Sequence, residues 1–256
     1  MPALSVRQAL VLGALHGPAE LLPVSSSAHV ALIPQLLGWP YTSLEPSERK
    51  SFEVAAHSGA ALGLAWVARR DLGTLRSAIL TTLPPALAGF ALERPVEERF
   101  GSPRQLALTQ VFAGVLLAAA DHRGATRPER DAGALDELAI GAAQAVALIP
   151  GVSRMGAVLT MARALGFDRA ASARLARRAA LPVLAGAAAL KGARGVPRRL
   201  AAPFAAGAAT SLVSTLACVP LVRRLDRSRS LAPFAAYRVA LGAAILAAGR
   251  SGSMAA

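Results

Sequence analysis

Between His16 and His29 the chain sets a carboxylate, three hydroxyls and two imidazoles into an otherwise apolar run, His16-Gly17-Pro18-Ala19-Glu20-Leu21-Leu22-Pro23-Val24-Ser25-Ser26-Ser27-Ala28-His29. His16 and Glu20 stand four residues apart, on one helical face, where they can hold a divalent cation or orient one another. Ser25, Ser26 and Ser27 follow Pro23 at an expected helix start. Hydroxyls and free N–H groups at that place form an anion site, reinforced by the helix dipole. Plain N-capping is the alternative for the serines, and a satisfied interior histidine is the alternative for His29. A second segment, Gln144 to Gly156, contains Pro150-Gly151-Val152-Ser153-Arg154-Met155-Gly156. Arginine suits bidentate recognition of phosphate and stays charged at any depth. Gly151 and Gly156 let a ligand approach the backbone closely. The alternative for Arg154 is a topology charge at a membrane interface.

The two segments are counterparts. Sliding the chain against itself by 128 positions aligns residues 10–38 with 138–166 and matches nine of them, including Gly13 with Gly141, Ser25 with Ser153 and Gly38 with Gly166. A chain this rich in Ala, Leu and Val would give roughly 3 or 4 matches by chance. Both copies are interrupted, by Pro18, Pro23 and Pro34 in the first and by Pro150, Gly151 and Gly156 in the second. Proline removes an N–H and clashes with the preceding turn, so neither copy is expected to form one unbroken spanning helix.

The elements that must carry these segments are apolar. Of 256 residues, 54% are apolar, and the mean hydropathy is +0.45. Apolar stretches recur at about 52–68, 74–92, 106–120, 138–162, 201–222 and 231–249, several near the ~20 residues that cross a bilayer. Ionisable groups at that depth are costly, which marks Glu20, His16, His29 and Arg154 as functional. Broken backbone within a membrane survives only when buried in protein or lining a wet cavity. The reading is therefore an all-α polytopic membrane protein, an inverted repeat of two halves with two re-entrant helical segments facing each other. Residues 1–250 form a single membrane domain, with repeat one at about 5–120 and repeat two at about 133–250. The connector lies near 121–137, and residues 251–256 form a disordered tail. The N-terminus lacks the layout of a cleavable signal and is read as retained. Cys218 is the single cysteine, so no intramolecular disulfide forms.

The formal charge of +13 resides in short clusters between apolar stretches: Arg69 and Arg70, Lys191 to Arg199, and Arg223 to Arg229. That pattern suits a bilayer with anionic lipids. With few aromatics and no recognisable module, no nucleic acid is expected as a partner. Basic clusters flank residues 201–222 on both sides, so charge does not choose an orientation.

These residues resemble the undecaprenyl-diphosphate phosphatases of the bacitracin-resistance type. The likeness rests on Glu20 to His29, on Phe52-Glu53-Val54, on Pro150 to Gly156, and on Pro233-Phe234-Ala235-Ala236-Tyr237-Arg238, in that order along nearly the whole chain. The resemblance implies hydrolysis of undecaprenyl diphosphate, or a related polyprenyl diphosphate lipid, to the monophosphate in a bacterial plasma membrane, with a pocket facing the exterior. It implies a divalent cation, Mg²⁺ with Ca²⁺ as second choice, bound or positioned by Glu20, and the spacing makes His16 the second candidate ligand. Ser25 and Ser26 would contact phosphate or supply the nucleophile, His29 would assist proton transfer, and Arg154 would clamp the diphosphate. Ser27, Ser153, Gly151 and Gly156 would line the substrate. A homodimer is compatible with the sequence. A lipid-phosphate flippase and a catalytically degenerate homologue of the same fold are the alternatives.

The chain also departs from the family pattern. His16 stands where an acidic residue or Gln is usual, Ala28 replaces Gly, Met155 replaces Ser, and His57 stands where Gln is common. Arg174, Arg177 and Arg178 share one helical face, expected to lie on anionic lipid or to add a headgroup contact.

Overall fold

The computed structural model describes residues 4–69, 73–192, 197–226 and 230–250. Arg70, residues 193–196 within the 191–199 cluster, the last residues of the 223–229 cluster and the 251–256 tail lie outside those residues. The described chain is helical, in agreement with the all-α expectation: α1 (Val6–Leu21), α2 (Ser26–Leu36), α3 (Pro46–Ala68), α4 (Leu75–Arg99), α5 (Pro103–Asp121), α6 (Ala134–Val146), α7 (Arg154–Ala164), α8 (Arg169–Gly192), α9 (Ala201–Ala217), α10 (Val219–Asp226) and α11 (Ala232–Arg250).

Local chemistry sets the boundaries. Ser5 caps α1 and Ser102 caps α5, each in a reciprocal box with a glutamine three residues on, Gln8 and Gln105. Pro46 and Pro103 occupy first-turn positions, where a missing N–H costs nothing. The apolar stretch 138–162 divides into α6 and α7, as its Pro-Gly break predicts, and α1 and α2 part at Pro23. Pro18 and Pro34 behave differently, lying inside α1 and α2 rather than ending them. Pro18 sits in the last turn of its helix, and its carbonyl still accepts from Leu22 N at 3.0 Å.

The outer faces are apolar. On α4, Leu75, Ile79, Leu83, Leu87 and Phe90 form one exposed stripe at helical spacing, with Phe90 95% exposed. Leu108, Phe112 and Val115 do the same on α5, and Leu62 and Trp66 on α3. Residues Leu75–Leu92 and Arg198–Ala217 are long and apolar enough to cross a membrane. A stripe of this size in water would be an aggregation hazard, and hydrocarbon removes the difficulty.

Inside, α1 lies along α9 and α3 lies against both α8 and α9, while α5 packs on α11 and α7. The α1–α9 approach is close: a Cβ on Gly13 would sit 2.1 Å from Gly207 O, and one on Gly17 would sit 2.2 Å from Ser214 Oγ. Phe52 is fully buried, edge-on to Tyr41 and Phe204, and fixes α3 against α9.

The basic face expected of Arg174, Arg177 and Arg178 is not a free lipid-facing surface. Arg177 is buried, while Arg174 and Arg178 both pair with Glu129, at 2.6 and 2.9 Å. They border a cleft of about 540 Å³ together with Arg76, Arg130 and Glu137.

Candidate active site

Glu20 is the meeting point of the polar side chains. It stands in the last turn of α1, one residue from the chain's exit, and its side chain is only 7% exposed. One carboxylate oxygen, Oε1, takes the Arg154 guanidinium in a direct ion pair. The other, Oε2, accepts a hydrogen bond from Ser26 Oγ at 2.7 Å and lies 3.2 Å from His57 Nε2 and 4.0 Å from His16 Nε2. Four residues, from α1, α2, α3 and α7, thus converge on one carboxylate.

Two strained turns bring them there. Ser25 and Ser153 are the described non-glycine residues with positive φ, 72° and 65°, and each caps the helix that follows it. Ser25 Oγ accepts from Ala28 N and Ser153 Oγ accepts from Gly156 N, so each hydroxyl satisfies an otherwise orphaned donor. The left-handed backbone costs of order 1 kcal/mol or more for a residue with a side chain. In return, the next residue in each chain direction, Ser26 or Arg154, is turned toward Glu20.

Arg238 of α11 holds both turns. Its side chain is fully buried and donates to Pro23 O at 3.0 Å, Gly151 O at 2.8 Å and Val152 O at 2.9 Å. Gln110 of α5 adds a bond to Val24 O at 3.0 Å. Turn carbonyls without helical partners are thereby paired away from water. Gly151, at φ 93°, packs where a Cβ would meet Thr109 Oγ1 at 2.2 Å, and a Cβ on Gly156 would meet Arg238 Nη1 at 2.8 Å.

Of the residues singled out from sequence, Glu20, Ser26, Arg154 and His16 are brought together. Ser153, Gly151 and Gly156 build the second turn. Ser27 Oγ is 3.1 Å from Ser25 Oγ. His29 faces away from the serine hydroxyls: its Nδ1 bonds to the Ser25 carbonyl at 2.7 Å and its Nε2 to Tyr237 Oη at 2.6 Å, with the two rings nearly parallel. Three participants carried no role in the sequence reading. His57 was visible only as a departure from a family pattern, and Tyr237 and Arg238 only as letters of a matching motif.

Chemically, the arrangement joins a hydroxyl to a base, Ser26 to Glu20, and sets a guanidinium beside them. Arg154 Nε is buried with no hydrogen-bond partner, which leaves the fork incompletely used. Ser26 and Arg154 open α2 and α7, so two helix N-termini meet at the same place, and anions are favoured there. His16, Glu20 and His57 offer donor atoms that all lie within 4.8 Å of one another.

Residues 9–244 match the family of the bacitracin resistance protein BacA. The undecaprenyl-diphosphatase of Geobacter sulfurreducens is 42% identical to this chain, over 95% of it and 98% of the relative. That of Geobacter metallireducens is 38% identical over 93% and 96%, and that of Pelotomaculum thermopropionicum is 35% identical over 95% and 96%.

Proposed function

The chain belongs to the BacA bacitracin resistance family of membrane proteins, and from that membership and the geometry around Glu20 we infer that it is an undecaprenyl-diphosphatase. It cleaves the anhydride of undecaprenyl diphosphate in a bacterial plasma membrane and releases the monophosphate lipid and phosphate. Recycling that carrier for cell-wall synthesis follows from the product.

The observation that carries the reading is the double engagement of Glu20, by Ser26 on one oxygen and Arg154 on the other. A diphosphate headgroup entering between the two helix N-termini takes over Arg154, whose planar fork fits two phosphoryl oxygens. Glu20, released from that partner, is the base for Ser26, and Ser26 Oγ is the nucleophile on the terminal phosphorus. The bridging bond breaks, the monophosphate lipid leaves, and water then frees the phosphate. Charge spreads over equatorial oxygens during transfer, and Arg154 with the helix N-termini stabilises it in a water-poor site. Glu20 and His16 would hold a divalent cation, which would supply further neutralisation of those oxygens. Ser25 and Ser153 set the turns, Ser27 and the backbone at Gly151 and Gly156 border the headgroup, and His29, tied to Tyr237, serves proton transfer at the outer edge.

The positions of the elements support the two-repeat reading. α2 and α7 begin 128 residues apart, as do Ser25 and Ser153 with their shared backbone geometry, and α5 and α11 nearly so. α1 with α2, and α6 with α7, are two helix-turn-helix units, each returning toward its own entry side. Three long helices separate them, α3, α4 and α5, of 23, 25 and 19 residues. At about 1.5 Å per residue each has the length to cross a hydrocarbon core of ~30 Å or nearly so. Three such crossings would invert the second unit relative to the first and bring two re-entrant turns tip to tip, with their broken backbone buried in protein. The anionic lipids of the bilayer neutralise the basic loops.

Purified protein given undecaprenyl diphosphate and a divalent cation tests the reading. Phosphate and monophosphate lipid in equal amounts are expected, with a phosphoserine at Ser26 trapped by acid quench. No phosphate release, or headgroup movement across liposomes without it, would overturn the assignment.

A further inference from the structure

We propose that His57 completes a three-donor cation site with His16 and Glu20, and that this site selects a borderline ion of the Zn²⁺ class over Mg²⁺ or Ca²⁺. The proposal rests on the reading above only in placing a working cation at Glu20; the choice of ion comes from the donors. Mg²⁺ and Ca²⁺ are hard ions that take oxygen ligands, whereas two imidazoles and one carboxylate form the donor set that suits Zn²⁺ and its neighbours. Here two of the three donors are imidazoles.

The surroundings of both rings agree. His57 Nδ1 lies 2.7 Å from Glu53 O, and His16 Nδ1 lies 3.2 Å from Ser211 Oγ. A backbone carbonyl only accepts, so the His57 proton belongs on Nδ1, and its Nε2 lone pair faces Glu20 Oε2 at 3.2 Å. His16 has the same layout, with Nδ1 on a hydroxyl and Nε2 toward Glu20. A far nitrogen that donates to a carbonyl, as in His57, is how proteins fix the tautomer and orientation of a metal-binding histidine, and a hydroxyl partner, as in His16, holds the ring's orientation. His16 Nε2 also approaches His57 Nδ1 at 3.3 Å, so in the absence of an ion the two rings share that one proton.

The donors sit on rigid helices rather than loops: His16 and Glu20 on α1, His57 on α3, with Ser211 on α9 behind them. The close glycine contacts hold that frame, because a Cβ on Gly59 would lie 2.0 Å from Ala208 O and one on Gly17 would lie 2.2 Å from Ser214 Oγ. The competing account of the same contacts is a protonated His57 in a simple ion pair with Glu20. That account requires His57 Nε2 to carry a proton and predicts no nitrogen ligation of an ion.

The test uses full-length, metal-stripped protein without an affinity tag, in detergent. Zn²⁺, Mg²⁺ and Co²⁺ binding are measured at equilibrium, with the visible spectrum of bound Co²⁺ reporting coordination. One Zn²⁺ per chain is expected, held at least ~100-fold more tightly than Mg²⁺. Bound Co²⁺ should give the intense visible bands of a low-coordinate nitrogen-bearing site. His57→Gln should weaken Zn²⁺ by at least ~10-fold and bleach those bands, while His122→Gln, distant in sequence at the end of α5, should change neither. Zn²⁺ binding no tighter than Mg²⁺, or a weak octahedral Co²⁺ spectrum, would overturn the proposal from the native protein alone, whatever the variants do. Phosphate release by the same preparation separates the two readings. Hydrolysis with Mg²⁺ and no preference for Zn²⁺ defeats the ion assignment and leaves the activity; tight Zn²⁺ binding with no hydrolysis under any ion does the reverse.

Discussion

Glu20 and Arg154, 134 residues apart in sequence, form a direct ion pair at the junction of α1 and α7, with side chains 7% and 16% exposed. A pair this buried is weak support for stability in itself, but breaking it leaves an uncompensated charge at a cost of about 3–5 kcal/mol. Arg154→Ala and Glu20→Ala are therefore each expected to lower the unfolding midpoint in detergent. The double variant should recover part of the loss, giving a coupling energy of about 1 kcal/mol or more in a double-mutant cycle. Additive losses would mean that the two groups do not depend on one another.

The two Ser25 and Ser153 caps combine a useful hydroxyl with an unfavourable backbone. Replacing Ser153 by Gly removes the hydroxyl bond to Gly156 N but also the strain at φ 65°, and glycine costs only a few tenths of a kcal/mol at an N-cap. Ser153→Gly should thus unfold within about 1 kcal/mol of the native protein. Ser153→Val, which has neither hydroxyl nor tolerance of positive φ, should cost about 2 kcal/mol or more. Chemical denaturation in mixed micelles provides the comparison.

Arg238 acts on the reaction through the turns it holds. Arg238→Met would orphan the carbonyls of Pro23, Gly151 and Val152, each worth roughly 1–3 kcal/mol when buried unpaired. Misplacement of Ser26 and Arg154 should appear as a fall in kcat of ~100-fold or more, with KM changed less. Arg238→Lys, which keeps the charge and one or two of the bonds, should restore part of kcat. Equal falls for Lys and Met would show that the fork itself is required.

Much of this site was legible because membrane depth makes polar residues conspicuous. Glu20, Ser26 and Arg154 are ionisable or hydroxyl groups in apolar runs, and the 128-residue offset pairs their turns from sequence alone. His57 did not stand out as a ligand. It lies 37 positions beyond Glu20 on another helix, and only the packing of α3 against α1 brings its Nε2 within reach of the carboxylate. Arg238 was hidden for a similar reason, since its bonds go to backbone carbonyls, which no side-chain pattern announces. Arg177 misled in the opposite sense. Helical spacing puts it on a face with Arg174 and Arg178, but spacing alone does not say that Arg177 is buried, or that Glu129 on a 3₁₀ turn pairs with the other two.

His29 and Tyr237 bond at 2.6 Å across α2 and α11, at the exposed edge of the site. Because His29 touches no serine hydroxyl among the described residues, its replacement should slow turnover without abolishing the first phosphoryl transfer. His29→Gln is expected to reduce steady-state kcat by about 10²–10⁴-fold, the range of a lost general acid or base. A phosphoenzyme burst should persist. Tyr237→Phe should cost less than ~10-fold, and loss of the burst in His29→Gln would instead put this histidine at the nucleophile.

Arg154 passes from Glu20 to the headgroup and frees Glu20 to act on Ser26, and phosphate release from undecaprenyl diphosphate measures the joint requirement for all three directly. With folded Ser26→Ala, Glu20→Gln and Arg154→Ala compared with Ser27→Ala, the first three should each lose at least ~10³-fold in kcat/KM and Ser27→Ala no more than ~30-fold. Activity near the native level in Ser26→Ala or Arg154→Ala would contradict the account.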